Sequence, residues 1–308
     1  MARNPSSLAF STCWNAHRHT NGEHFTNEVL LLGFEAVEFS HGFGRELITS
    51  FQKEFDKGRI KVSGARHPCP ARAKEDDHPL ADLLSLDNAT RKLAVQQVMA
   101  SINQVDSFSG DYLLLPFHHF STSASTARLL QMLKAGDLHT RSYVTEKLGV
   151  IKAREQDADF AMDLAREALR ELVPYAEARG VRLALENRAR YEQFPTAREI
   201  ETLLSEFPKP ALGYWHDFGH AERQAQIGFL DHAEQIERLA SHTIGCHIND
   251  LVWPDQDHAV PGQGMIDFAD LIPRLPKEAH VVWEIQPRRK AADIKAALAK
   301  WCETFPSS

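Results

Sequence analysis

Eight short apolar runs alternating with helical patterns predict an α/β protein whose parallel sheet closes into a single (β/α)8 barrel, with extended loops after the third and fourth strands. Two further observations support this class. No pair of runs is joined by a two-residue hairpin dipeptide. In the second half, four successive runs each stop on an ionisable side chain, as expected where a barrel presents its chemistry at the C-terminal strand ends. A chain of 308 residues suits one barrel with insertions, so residues 1–308 are expected to form one domain.

The first strand is read in LAFSTCW (8–14), followed by a loop carrying His17, His19 and His24, which could contribute to a pocket or lie on the surface. Phe25 to Gly33 reads as a helix with Val29, Leu30 and Leu32 on its apolar face and Gly33 as C-cap. Glu35 to Ser40 is the second strand, with Glu38 and His41 at its end as either a structural pair or site groups. Residues 45–57 form the second helix. The third strand, RIKVSGA (59–65), opens into a proline-broken loop in which Arg66 and His67 could face a pocket, while Glu75, Asp76 and Asp77 read as a solvated run. Asp87 caps a helix with Leu93, Val98, Ile102 and Val105 on one side. DYLLLPFHH (111–119), the fourth strand, ends on His118 and His119, and its apolar run is long enough for burial on both faces.

Residues 120–157 exceed the usual strand-to-helix connection and contain helix-like pieces, so a lid or interface element is expected there. Ala158 to Arg179 is an amphipathic helix read through Phe160, Leu164, Ala168, Leu172 and Tyr175, closed by Gly180. The four ligand-bearing runs follow. VRLALEN (181–187) ends on Glu186, ALGYWHDFGH (211–220) on Asp217 with a loop after it, TIGCHIND (243–250) on His247 and Asp250, and HVVWEIQP (280–287) on Glu284. Helices are read between them near 196–206, 231–240 and 266–274, and a final helix carries Ile294, Leu298, Trp301 and Phe305 on one side. Strand ends offering three carboxylates and one imidazole point to one divalent metal ion held by Glu186, Asp217, His247 and Glu284. Oxygen-rich donors favour manganese, with magnesium, cobalt or zinc as alternatives. His216 reads as a core or metal-supporting group and Asp250 as a possible helix cap.

Composition narrows the partners. The net charge of −7 and the absence of a dense Lys/Arg block argue against nucleic acid and favour a small-molecule partner. Cys13, Cys69, Cys246 and Cys302 form no Cys-x-x-Cys pair and are read as reduced, buried thiols. No signal-like or membrane-spanning run is found, so a cytoplasmic location without membrane association is expected; self-association is left open.

From residue 181 to 286 the chain resembles the xylose isomerase-like barrel superfamily, specifically its sugar (phosphate) isomerase/epimerase group. The resemblance rests on ENRARYE (186–192), Asp217-x-x-His220, His247, HAVPGQG (258–264) and Glu284. It implies a carbohydrate-like substrate contacted by Glu192, His220 and His258, with His67 and His118 as further pocket candidates from the first half. His258 stands where ketose epimerases usually carry arginine. Chemically, a divalent ion could polarise a hydroxyl and a carbonyl on adjacent carbons, with Glu186 and Glu284 moving the α-proton through a metal-bound enediolate. Return of the proton to the other face of the same carbon epimerises, return to its neighbour isomerises, and loss of a β-hydroxyl dehydrates, so a dehydratase or lyase is the alternative. A metal-dependent endonuclease of abasic DNA and a non-catalytic barrel are the lesser readings.

Overall fold

The computed structural model describes residues 8–72, 80–117, 125–156, 158–207, 209–254 and 256–305. Eight parallel strands close into a barrel: β1 (Ala9–Ser11), β2 (Ala36–Phe39), β3 (Lys61–Arg66), β4 (Tyr112–Leu115), β5 (Arg182–Glu186), β6 (Leu212–Asp217), β7 (Thr243–Ile248) and β10 (His280–Trp283). They neighbour one another in that order, and β10 pairs back to β1. An antiparallel ribbon, β8 (Asp250–Val252) with β9 (Gln256–Ala259), projects after β7. This hairpin departs from the purely alternating order read in the sequence. Its turn is no short hairpin dipeptide, so the local signal was missing.

Side chains alternate between the two faces of a strand, and this period decides what reaches the barrel axis. Ala36, Ala184, Trp215 and Val282 belong to one buried cluster with Tyr112 and Leu114. The residues two positions further on are Glu38, Glu186, Asp217 and Glu284, which therefore point the same way one layer higher. Gly64 and Gly245 lie against the rings of Tyr112 and Trp215, and two residues beyond them stand Arg66 and His247. The Tyr112 and Trp215 rings lie 4.3 Å apart between centroids and fill the barrel below these polar groups. Alternate positions such as Leu183, Leu185, Tyr214, Cys246 and Trp283 pack outward in the larger core beneath the helices.

Helices surround the barrel. α1 (Gly22–Leu32) starts on the Asn21 side chain and ends on Gly33 at φ 106, while α3 (Asn88–Ser107) starts on Asp87 as the sequence predicts. α2 spans Arg45–Asp56, α6 Ala158–Glu177, α9 His232–Leu239, α10 Phe268–Leu271 and α11 Ala291–Thr304. α7 (Ala197–Glu206) begins with a reciprocal Thr196–Glu199 capping box. The long connection after β4 holds α4 (Thr126–Lys134) and α5 (Arg141–Glu155), whose Leu129, Tyr143 and Val150 form a small core with Tyr191 and Phe229 packed against it.

Several expectations change. β1 stops at Ser11 because Thr12–Trp14 turn into a 3-10 helix. Asp217 is followed by a helix, α8 (Phe218–Gln226), and not by a loop. Leu93 and Phe160 are exposed; the buried face of α6 runs through Ala161, Leu164, Ala165, Ala168, Leu169, Leu172 and Val173. Cys69 and Cys246 are buried free thiols, but Cys302 is exposed. The Glu75–Asp77 run and the histidines at 118 and 119 lie outside the described residues. Among the described residues no helix is long and apolar enough to cross a membrane.

The Gly245→Ala variant tests the packing under the polar layer. A Cβ at 245 would strike the six-membered ring of Trp215, which Tyr112 backs and which is fully buried. The expected loss is about 1–3 kcal/mol, read as a lower denaturant midpoint with an unchanged slope.

Candidate metal centre

Glu186, Asp217, His247 and Glu284 are all buried, and each offers one ligand atom within 4.8 Å of the others, a group that could hold a metal ion. His247 Nδ1 lies 2.9 Å from Glu186 Oε1, 3.1 Å from Glu284 Oε2 and 3.7 Å from Asp217 Oδ2. Glu186 Oε2 and Glu284 Oε2 are buried and accept no hydrogen bond from the described residues. Buried carboxylate oxygens without donors are costly. Three oxygen donors and one nitrogen that leave such lone pairs open fit a hard divalent cation.

The residues behind the cluster fix its orientation. Glu38, fully buried at the end of β2, has both carboxylate oxygens 3.1 Å from His247 Nε2 and accepts the Tyr112 hydroxyl at 3.0 Å. With Nε2–H donating to Glu38, the Nδ1 lone pair is free for an ion, the carboxylate–histidine arrangement that holds ligating imidazoles. Asp217 is tied at both ends. Its backbone exchanges hydrogen bonds with the Asn187 side chain, Oδ1 accepts the His220 N–H at the start of α8, and Oδ2 accepts Asn249 Nδ2 at 3.2 Å. Gly219 fits beside Asn249 because a Cβ there would collide with that amide.

Electrostatics follow from this crowding. Arg66 Nη2 donates to Glu186 Oε1 at 2.6 Å and lies 3.7 Å from Glu284 Oε2. Burial alone would raise the Glu186 carboxyl, but Arg66 and the His247 contact outweigh it and hold the group ionised below the usual carboxylate range. Burial likewise opposes the charged form of His247, yet the Glu284 and Glu38 carboxylates raise it well above an ordinary histidine. His258, opposed by burial, is pushed up to about 10 by the Asp257 and Glu284 carboxylates beside it.

The other sequence candidates divide into those near the cluster and those engaged elsewhere. His220 bonds through Nδ1 to the Asn187 carbonyl at 2.9 Å and faces His258 with ring centroids 5.6 Å apart. His258 Nε2 is 3.4 Å from Glu284 Oε2. With Asp217, these two histidines form a second group of ligand-type atoms within 4.8 Å of one another. His258 adopts φ 50, the left-handed region unfavourable to a side chain, and Gln286 braces it by donating its side-chain amide to the Asp257 carbonyl and its backbone N–H to the His258 carbonyl. Asp250 is no helix cap: it accepts the backbone N–H groups of Leu251, Gly262, Gly264 and Ile266 and so closes the loop that carries His258.

Glu192 is buried and accepts from the Thr126 N–H at 3.2 Å and its hydroxyl at 3.3 Å, at the start of α4. His67 turns to Ser101 on α3 at 2.9 Å. His216 lies on the outer side of β6, bridged between Tyr214 and His232. His19 joins Glu28 at 2.6 Å, and His17 and His24 are exposed, so the first loop's histidines do not join the four-residue cluster. Glu38, read as either a structural partner or a site group, backs the cluster through His247, and Arg66, read as a residue that could face a pocket, contacts Glu186; the roles of Tyr112, Asn187 and Asn249 carried no sequence signal beyond residue type.

The family of xylose isomerase-like TIM barrels matches residues 27–304. No curated protein matches the sequence. Among solved structures, the fold is similar to a D-tagatose 3-epimerase-like protein (18% identity, 97% of each chain covered, TM-score 0.67). It is also similar to 3-keto-D-glucoside 4-epimerase from E. coli (16% identity, 98% of this chain and 100% of that one, TM-score 0.67). A third similar structure is D-psicose 3-epimerase with D-tagatose from Clostridium cellulolyticum H10 (15% identity, 98% and 100% covered, TM-score 0.69).

Two measurements follow from the His247 geometry. Glu38→Gln should weaken divalent-metal affinity by about 10- to 100-fold, read by titrating the chelator-treated protein with Mn²⁺ or Zn²⁺. In the metal-free protein His247 holds a proton that an ion must displace, so affinity should rise with pH below that group's raised pKa, about tenfold per unit for one proton released. A pH-independent affinity between pH 6 and 8 would show that no such proton leaves.

Proposed function

The chain belongs to the xylose isomerase-like TIM-barrel family, and from that membership and the site geometry we propose that it is a divalent-metal-dependent isomerase or epimerase of a sugar, keto sugar or polyol-derived ketone. The observation that carries this reading is the pair Glu186 and Glu284, whose carboxylates converge from β5 and β10, three strands apart around the barrel, on the single nitrogen His247 Nδ1. Epimerase activity named for the similar folds agrees with it.

When bound, a divalent ion, with manganese the best fit to the oxygen-rich donor set, supplies Lewis-acid stabilisation to the oxyanion that develops as the α-proton leaves. The chain's own residues do the rest. Glu186 Oε2, buried and without a hydrogen-bond partner, accepts the α-proton. Glu284, loaded with a proton from His258 Nε2 3.4 Å away, delivers it from the other side, and such general acid–base work is worth about 10²–10⁴-fold. His220 and His258 border Asp217 and Glu284 and are assigned to substrate hydroxyls. Glu192, His67 and His118 keep the substrate-contact role that the family resemblance implies for them. Delivery to the opposite face of the same carbon epimerises, and delivery to the adjacent carbon isomerises.

Candidate ketoses incubated with Mn²⁺-loaded protein in deuterated water should acquire deuterium at the α-carbon, and Glu186→Gln and Glu284→Gln should each slow that exchange by about 10²–10⁴-fold. Asp217→Ala combined with Glu284→Ala should abolish stoichiometric metal in elemental analysis, whereas His220→Ala should lower turnover and keep the metal. A substrate that is converted with neither exchange nor a primary isotope effect from an α-labelled position would overturn the proton-transfer mechanism.

A further inference from the structure

Two arginines crowd the same carboxylate. Arg66, on the inner face at the end of β3, lies 2.6 Å from Glu186 Oε1 and 3.7 Å from Glu284 Oε2, so its guanidinium spans the gap between the two carboxylates. Arg188, just beyond β5, brings Nη1 to 3.7 Å from Glu186 Oε2. Both keep a buried Nε–H with no hydrogen-bond partner among the described residues, and Arg66 is only 8% exposed.

The two positive charges offset the carboxylates around them, but the arrangement leaves two buried donors idle. Each guanidinium competes with a divalent ion for Glu186 and repels the ion once it binds, and each buries an unpaired donor that costs free energy until something accepts from it. A planar anion removes both penalties at once: it accepts the idle N–H groups in the forked geometry that guanidinium favours, and it screens the arginines from the ion.

We propose that Arg66 and Arg188 select a substrate bearing a carboxylate, so that the enzyme acts on a keto sugar acid in preference to the neutral ketose. The assignment rests on the isomerase or epimerase reading for its chemistry, since a molecule held between Glu186 and Glu284 must lie against Arg66. The carboxylate is favoured over a phosphate monoester because it brings one negative charge up to Glu186 and Glu284, against roughly −1.5 to −2 for the phosphate.

Matched probes test it: D-fructose against D-fructuronate and D-tagatose against D-tagaturonate, with D-fructose 6-phosphate as the phosphate arm. Binding to Mn²⁺-loaded protein is measured by titration calorimetry, and α-exchange in deuterated water is followed separately. The uronates should bind about 10- to 100-fold more tightly than their ketoses. Arg66→Gln should bring that ratio close to one, Arg66→Lys should restore part of it, and Arg188→Gln should lower it independently. Metal content and circular dichroism identify any variant that fails to fold, and the wild-type ratio alone decides the point in that event. Uronates binding no tighter than ketoses would overturn the inference whatever the exchange result, and tighter binding of the phosphate would overturn the carboxylate. Arginine-dependent uronate binding without exchange of any probe would uphold the inference and count against the proposed reaction.

Discussion

Four buried carboxylates meet near one imidazole on the barrel axis, and most of the surrounding architecture answers the repulsion this creates. Two unit charges about 4 Å apart interact by roughly 4 kcal/mol at an effective dielectric constant near 20, so Glu38, Glu186, Asp217 and Glu284 could not share this space unaided. Arg66 sits between two of them, His247 bridges Glu38 to the other three, and the ordered amides of Asn187 and Asn249 take up Asp217. The strands tolerate such polar density only because Tyr112 and Trp215 close the barrel beneath it. A divalent ion is the remaining positive charge that this donor set can accommodate.

Much of this was legible before the fold was known. Long apolar runs that stop on Glu186, Asp217, His247 and Glu284 announce strand ends, and the structure draws those four together. Glu38 and Arg66 were harder to rank, because further polar residues follow each of them. Which of Glu38 and His41 faces the axis depends on strand phase, and register is set by neighbours distant in sequence. Helix α8 escaped notice because Asp217 serves twice: a residue read as the end of a strand is also an N-cap, and Gly219, which reads as loop punctuation, is there for close contact with Asn249. The phase of α6 was misjudged by one position at Phe160, since alanines supply much of its buried face and alanine patterns weakly.

Strand parity also separates what the site can change from what it cannot. Every polar group on the axis stands two residues after a core position, so a one-residue insertion within a strand would turn the ligand outward and an apolar residue inward. Substitution at His258 alters charge and shape at the mouth and leaves the barrel's inner layer intact. The three similar folds named above share less than a fifth of their residues with this chain across nearly its whole length.

The loop that carries His258 shows how a rim can be both strained and durable. Asp250 gathers four backbone N–H groups at its base, and the β8–β9 ribbon pairs along its length. Gln286, just beyond β10, ties the same ribbon to the barrel through the His258 and Asp257 carbonyls. With its backbone held from both sides, position 258 works like a fixed socket: a new side chain there would change what the site reaches for without loosening the ribbon, whereas loss of the Asp250 carboxylate would release four N–H groups at once.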